Sequence, residues 1–311
     1  MSEKEVSIVI PTFKPSYLER TLNALSNQTS KDFELIIVEN GTEELCLQPT
    51  LDSYKRRIKI KHIHIKKPGV NNARNIGIIN STGGLIALTD DDCTPHDSWV
   101  EKVKMAHIEM PHAQIIGGRT VLDFASTPPA WFISPFREIV GELDLGQKAR
   151  LIKDLEYVIS ANMTFRREVF DKVGGFNPFI GGIGRNFQAN DEILFLEQAK
   201  KLGLKVGFYP DMTVAHYVPE NRIGIDYLKR RFHGQGISEI KKERLLGKSQ
   251  EEIMGFFENE TMDSPWSLDL YRKMKDRLNE IDRKIYQTNF FKTRLAYLNG
   301  IKQELFQEDK K

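Results

Sequence analysis

Leu85-Ile86-Ala87-Leu88-Thr89-Asp90-Asp91-Asp92 is the stretch whose reading decides the fold. Its apolar half reads as a buried strand. Its acidic half gathers three like charges, which repel one another, so a simple turn gives no reason to collect them. Carboxylates stacked at a strand end suit a hard divalent cation. Such cations take oxygen ligands and share them readily with the phosphates of a substrate.

The flanking residues place this strand in a sheet. Val6-Ser7-Ile8-Val9-Ile10 is a β-branched run that Pro11 is expected to stop. Leu18, Leu22 and Leu25 predict a helix over Tyr17–Leu25, and Phe33–Val38 is a second strand closed by Asn40-Gly41. Ile58, Ile60, Ile63 and Ile65 alternate with polar residues, as in a strand with one exposed face or an edge position. A helix is expected over Val70–Ile79, ended by Thr82-Gly83-Gly84. Strand, helix and strand in alternation imply a mainly parallel sheet that binds ligands at the carboxyl ends of its strands. Glu39 and the aspartate triplet both lie at such ends.

Downstream, Ile115–Gly118 and Glu156–Phe165 are strand candidates, and residues 122–155, with Pro128, Pro129, Trp131 and Pro135, read as a long loop or lid. Helices are expected over Arg166–Val173 and Asp191–Leu202, followed by two strands, Val206–Tyr209 and Val214–Tyr217. Beyond about Pro219 the chain turns to charged helices. Ser264-Pro265 reads as an N-cap with proline in the first turn. Tyr271, Met274, Leu278, Ile281 and Ile285 form a stripe expected to pack on the main domain, with a dimer contact as the alternative. Asp269, Glu280 and Asp282 among the lysines argue against a membrane role for that stripe.

With 311 residues, 40% of them apolar, the chain can build a substantial core. A net charge of +2 gives no reason to expect nucleic acid as a partner. The two cysteines, Cys46 and Cys93, do not make a disulfide framework and are expected to be reduced thiols, which points to the cytoplasm. No N-terminal stretch resembles a signal peptide, and no run approaches the roughly 20 apolar residues of a membrane helix.

Five segments in order resemble the family 2 glycosyltransferases of the GT-A fold. They are Val6–Phe13, Glu39-Asn40-Gly41-Thr42, Ala73-Arg74-Asn75-Ile76-Gly77 (the family's ARNxG element), Asp90-Asp91-Asp92 (its DXD motif), and the set Ala161–Arg167, Val173–Phe176 and Asn190-Asp191-Glu192. The resemblance implies a Rossmann-like α/β domain over residues 1–220. Its donor half would cover about 1–120 and its acceptor half 121–220, with a C-terminal helical extension over 221–311. It assigns the nucleotide to Pro11, Thr12, Glu39, Asn72, Arg74, Asp90 and Asp91. It assigns the metal, Mn²⁺ or Mg²⁺, to Asp92 with His216, where an imidazole ligand would favour Mn²⁺. Glu39 departs from the family's usual aspartate, so UDP is only the first expectation for the donor.

Asp191 begins a helix and is the candidate general base, with Glu192 the adjacent alternative. One base facing a departing diphosphate implies displacement with inversion. The acceptor is a hydroxyl on a glycan, a lipid-linked sugar or a protein. The Gly181-Gly182-Ile183-Gly184-Arg185 loop, Trp131, and Arg222, Arg230, Arg231, His233 and Gln235 are further candidates for sugar or phosphate contact. Two other readings compete. Asp90 and Asp92 imitate the DxD of a haloacid-dehalogenase phosphatase, although that motif normally opens its domain. A non-catalytic sugar-nucleotide binding module would use the same fold. A peripheral membrane location and a homodimer through the C-terminal helices stay open.

Overall fold

The computed structural model describes residues 5–13, 16–41, 47–154, 156–183, 186–259 and 268–306. Thr42, Cys46, Gly184, Arg185, Ser264 and Pro265 lie outside them. The strands are β1 (Val6–Thr12), β2 (Phe33–Asn40), β3 (Ile60–Ile65), β4 (Leu85–Leu88), β5 (Cys93–Pro95), β6 (Ile115–Phe124), β7 (Arg150–Leu151), β8 (Met163–Arg166) and β9 (Val206–Val218). The helices are α1 (Leu18–Ser26), α2 (Gln48–Tyr54), α3 (Val70–Ile79), α4 (Trp99–Glu109), α5 (Arg167–Val173), α6 (Asp191–Lys201), α7 (Ile225–Leu245), α8 (Gln250–Asn259), α9 (Leu268–Lys275) and α10 (Glu280–Leu305).

Among the described residues the strands form one mixed sheet in the order β3-β2-β1-β4-β8-β6-β9-β5, with β7 on β9. β3, β2, β1 and β4 run parallel, while β8 is antiparallel to β4. The parallel half brings the ends of β1, β2 and β4 to one edge, where Thr12, Glu39 and the aspartates follow. Successive side chains of β1 serve opposite faces. Ile8 and Ile10 join Leu22, Leu35 and Trp99 on one side, and Val9 joins Ile36, Ala73, Leu88 and Phe165 on the other. The buried indole of Trp99 donates to Asn162 Oδ1 at 2.9 Å, and Asn162 Nδ2 donates to the carbonyls of Arg119 and Met212 at 2.8 Å. This side chain thereby fastens α4, β6 and β9 together.

The chain divides into two compact units. One comprises Met1–Asp123, Gly141–Gly184 and Asp191–Tyr217, and the other Phe124–Val140, Arg185–Asn190 and Val218–Lys311. In the second, α7 and α10 pack with backbones close together. A Cβ on Gly236 would meet Tyr297 O at 2.1 Å, and one on Gly300 would meet His233 O at 2.1 Å. Tyr286 donates to Ser134 O at 2.9 Å, and its ring lies 5.7 Å from Phe136.

Several local expectations are corrected. β1 runs through Pro11 to Thr12. It pairs with β4 only over Val6–Val9, so the missing N–H of Pro11 interrupts no ladder on that side. Residues 156–162 are not strand; a 3-10 turn, Ser160–Asn162, precedes the short β8. The two strands expected over 206–217 are one, because β9 continues through Pro210. The 122–155 segment is not structureless: it contains the end of β6, a 3-10 turn at Glu138–Val140 and β7. The Tyr271–Ile285 stripe is broken between α9 and α10, and Ile281 is 74% exposed, so it forms no continuous packed seam. The buried face of α10 is instead Tyr286, Phe290, Thr293, Tyr297 and Ile301, with α7 as its principal partner.

Candidate active site

α3 organises the centre. Gly77 lets the helix lie against β1, since a Cβ there would sit 2.4 Å from Val9 Cγ1. Asn71 and Asn75, one turn apart, clamp the segment between α5 and α6. Asn71 Nδ2 donates to the carbonyls of Asn177 and Ile180 at 2.8 Å. Asn75 exchanges hydrogen bonds with the backbone of Phe176, at 2.8 and 2.9 Å. The Val70 amide donates to Gly182 O at 3.0 Å. These bonds fix the loop that runs past Asp191. Gly181, at φ +90°, lies so close that a Cβ would meet Asp191 Cγ at 2.9 Å.

Arg74 projects from the same helix and is 4% exposed. Its guanidinium donates to Asp191 Oδ2 at 2.5 Å, to Asp90 Oδ1 at 3.2 Å and to Asn71 Oδ1 at 3.3 Å. Burial opposes the charge, but the carboxylates of Asp191, Asp90 and Glu192 outweigh it and hold the guanidinium above its ordinary pKa. The geometry sets Arg74, expected at the nucleotide, among the acidic side chains of the site. Burial, then the neighbouring Asp191 charge, push the Glu192 carboxyl up to about 8. The shift disfavours the ionised form of Glu192.

The triplet divides its work. Asp91 accepts from Thr12 Oγ1, which ties it to the end of β1. Asp92 Oδ1 lies 3.1 Å from His216 Nε2, because Cys93 on β5 stands directly opposite His216 on β9. Ligand atoms of Asp90, Asp92, Cys93 and His216 all fall within 4.8 Å of one another. Two carboxylates and an imidazole suit a divalent cation such as Mn²⁺. Burial, with Asp92 and Asp90 nearby, pushes the Cys93 thiol well above its ordinary pKa, and a protonated thiol is a poor partner for a hard cation. Cys93 was absent from the sequence-based set, because only the β5–β9 register brings it to His216.

Glu39, 1% exposed, ends β2 in register with Thr12, and its Oε2 lies 3.0 Å from His62 Nε2. Asn40 Nδ2 donates to Thr12 O at 2.8 Å, and Asn40 Oδ1 accepts from the Gly69 amide at 3.0 Å, joining β1, β2 and the start of α3. Pro11 is buried within β1. Asn72 is half-buried, and it is the neighbouring Asn71 that bonds to Arg74. Trp131 packs edge-on against Phe132 and Phe136. Arg231 donates to Phe187 O at 2.8 Å, and Gln235 to Asn190 Oδ1 at 2.6 Å. Those three side chains therefore have structural partners within the second unit.

Residues 7–174 match the glycosyl transferase family 2 model, and the chain belongs to that family. It is a glycosyltransferase. It is 28% identical over 240 residues to the glucosyl-dolichyl phosphate glucuronosyltransferase of Haloferax volcanii, covering 75% of this chain and 76% of that protein. Its fold is similar to that of S. aureus TarS 1-349 in complex with UDP-GlcNAc, with a TM-score of 0.54 at 14% identity, over 96% of this chain and 91% of that one. It is also similar to GalNAc-T7 with UDP, GalNAc and Mn²⁺, with a TM-score of 0.54 at 16% identity, over 75% and 48% of the two chains. The mixed sheet with flanking helices is thus a GT-A fold. Family membership sets aside the phosphatase and the purely binding readings.

Proposed function

We propose that this chain transfers a sugar from a nucleoside diphosphate, UDP first, to an acceptor hydroxyl with inversion, using Asp191 as general base and a divalent cation at Asp92 and His216. The donor half is assigned to about residues 1–120 and the acceptor half to 121–220. The observation that carries the reading is the bridge Asp90–Arg74–Asp191: one buried guanidinium joins the cation-capable cluster to the candidate base. The UDP complexes of the two structural neighbours support a UDP-type donor. The Haloferax relative, whose name includes a dolichyl phosphate, supports a lipid-linked acceptor.

A bound cation would supply charge neutralisation for the departing diphosphate. The chain's own residues do the rest. Thr12 orients Asp91, and Glu39 stands where the base or ribose of the donor would lie. Arg74 holds Asp191 at one place beside Gly181. Asp191 takes the acceptor proton as the new bond forms opposite the leaving group, so the anomeric configuration inverts. Glu192, whose ionised form is disfavoured by burial and by Asp191, is the weaker candidate for that role.

The test is a donor screen followed by two variants. UDP, GDP, CDP and dTDP are compared by thermal shift with and without Mn²⁺, since a ligand that prefers the folded state raises the melting point. Asp191→Asn is expected to lower transfer by about 10²–10⁴-fold while donor affinity stays near wild type. Asp92→Asn is expected to weaken Mn²⁺ binding measured by calorimetry without substrate. Wild-type transfer by Asp191→Asn removes that residue from the mechanism, and full activity in excess chelator removes the cation.

A further inference from the structure

The buried face of α10 is spent on the second unit, but the helix has another apolar face. Ile281, Ile285, Phe291, Leu295, Leu298 and Phe306 are all exposed, Leu295 by 60% and Phe306 by 52%. At 3.6 residues per turn they fall within an arc of about 140°. Lys284, Lys292 and Lys302 point out of the same arc and are exposed. The helix carries three acids. Asp282 lies on the opposite side near the N-cap Asn279, Glu304 is turned inward to Arg244 at 3.2 Å, and Glu280 stands at the margin, paired with Lys284 at 2.9 Å. The face is therefore apolar and cationic at once.

We infer that this face of α10 docks the protein on an anionic lipid bilayer, lying in the plane of the headgroups. Its apolar side chains enter the boundary of the acyl region while the lysines reach lipid phosphates and carboxylates. No described helix is long and apolar enough to cross a membrane, so the contact is peripheral. Charge decides between a membrane and a second copy of the chain. A parallel pair of such helices sets each lysine against itself. An antiparallel pair centred near Thr293 sets Lys284 opposite Lys302 and Lys292 near its own copy. Either arrangement brings like charges together over an apolar seam, whereas an anionic surface meets all three lysines with opposite charge. The inference does not depend on the donor, the cation or the base assigned above.

Flotation of the full chain with phosphatidylcholine vesicles, with and without about one third phosphatidylglycerol, tests it. Wild type is expected to float with the anionic vesicles and to be released by high salt. Replacing Lys284, Lys292 and Lys302 by glutamine is expected to weaken binding roughly 100-fold, at about fivefold per lysine. Leu295→Glu with Leu298→Glu is expected to abolish binding while the melting temperature holds, because both side chains are already exposed. Ile108→Glu on α4, 73% exposed, controls for an added surface acid and is expected to bind as wild type. Failure of wild type to float, or unchanged binding by the leucine pair, overturns the inference. A wild-type dimer in sedimentation velocity that the leucine pair converts to monomer also overturns it, by making the face a subunit contact. Loss of transfer without loss of flotation speaks to the catalytic reading alone.

Discussion

Arg74→Met is the most incisive perturbation of the site. The side chain is 4% exposed and donates to Asp191, Asp90 and Asn71 at 2.5, 3.2 and 3.3 Å. Methionine fills much of the volume but leaves the Asp191 carboxylate, 7% exposed, without its cation. Breaking one side of a buried pair costs about 3–5 kcal/mol, because the remaining charge stays desolvated. At roughly 2–4 °C per kcal/mol, the melting point should fall by about 6–20 °C. Transfer should fall at least ~10²-fold, since the base loses the group that fixes its place. Arg74→Lys should recover part of the stability and little of the rate, because an ammonium cannot fork to two carboxylates. The discriminating measurement is a double-mutant cycle with Asp191→Asn, read by urea unfolding. The amide needs no counter-charge, so the double variant should be more stable than the two single losses predict, with a coupling of about 2–3 kcal/mol. Additive losses, or Arg74→Met within ~1 kcal/mol of wild type, would refute the claim that this guanidinium holds the base.

Two glycines give further tests. Gly181→Ala forces a Cβ into φ +90° and to 2.9 Å from Asp191 Cγ, so transfer should fall by roughly 10²-fold while calorimetric donor binding stays unchanged. Gly77→Ala places a Cβ 2.4 Å from Val9 Cγ1 inside the core, so unfolding in urea should show a loss of about 1–3 kcal/mol from forced repacking.

The parallel half of the sheet was legible because its signals are local. β-branched runs mark β1 and β2, helical leucine spacing marks α1, and the acids cluster at a strand end. α3 matches its expected bounds of Val70–Ile79 for the same reason. What was not legible depends on pairing between distant residues. Pro210 looks like a strand end until β9 is seen to continue through it. Cys93 enters the cluster only through its register with His216. Asn71 carries no chemistry of its own, and its two bonds to the 177–180 backbone cross more than a hundred residues. The Tyr271–Ile285 stripe has helical spacing, but α9 ends at Lys275 and α10 begins at Glu280, so the spacing does not run along one helix.

Two groups with shifted pKa values should pull the pH dependence of stability in opposite directions. Glu192 has its carboxyl raised from 4.5 to about 8 by burial and then by Asp191, so its contribution is complete below pH 4.5 and is lost as pH rises toward 8. His107, 4% exposed, is lowered from 6.5 to about 4 by burial and then by Arg166, so its contribution is complete above pH 6.5 and is lost as pH falls toward 4. Going from pH 7 to 4.5, the first contribution grows and the second shrinks, each on the order of a few kcal/mol at 1.36 kcal/mol per pH unit of linkage. The two contributions oppose each other in the wild type. Relative to wild type, Glu192→Gln should therefore lose more stability between pH 7 and 4.5, and His107→Gln should lose less or gain, in urea unfolding at the two pH values. If Glu192→Gln keeps the wild-type profile, that carboxyl is not held against its charge beside Asp191, and the shift that sets the two neighbouring acids apart is absent in solution.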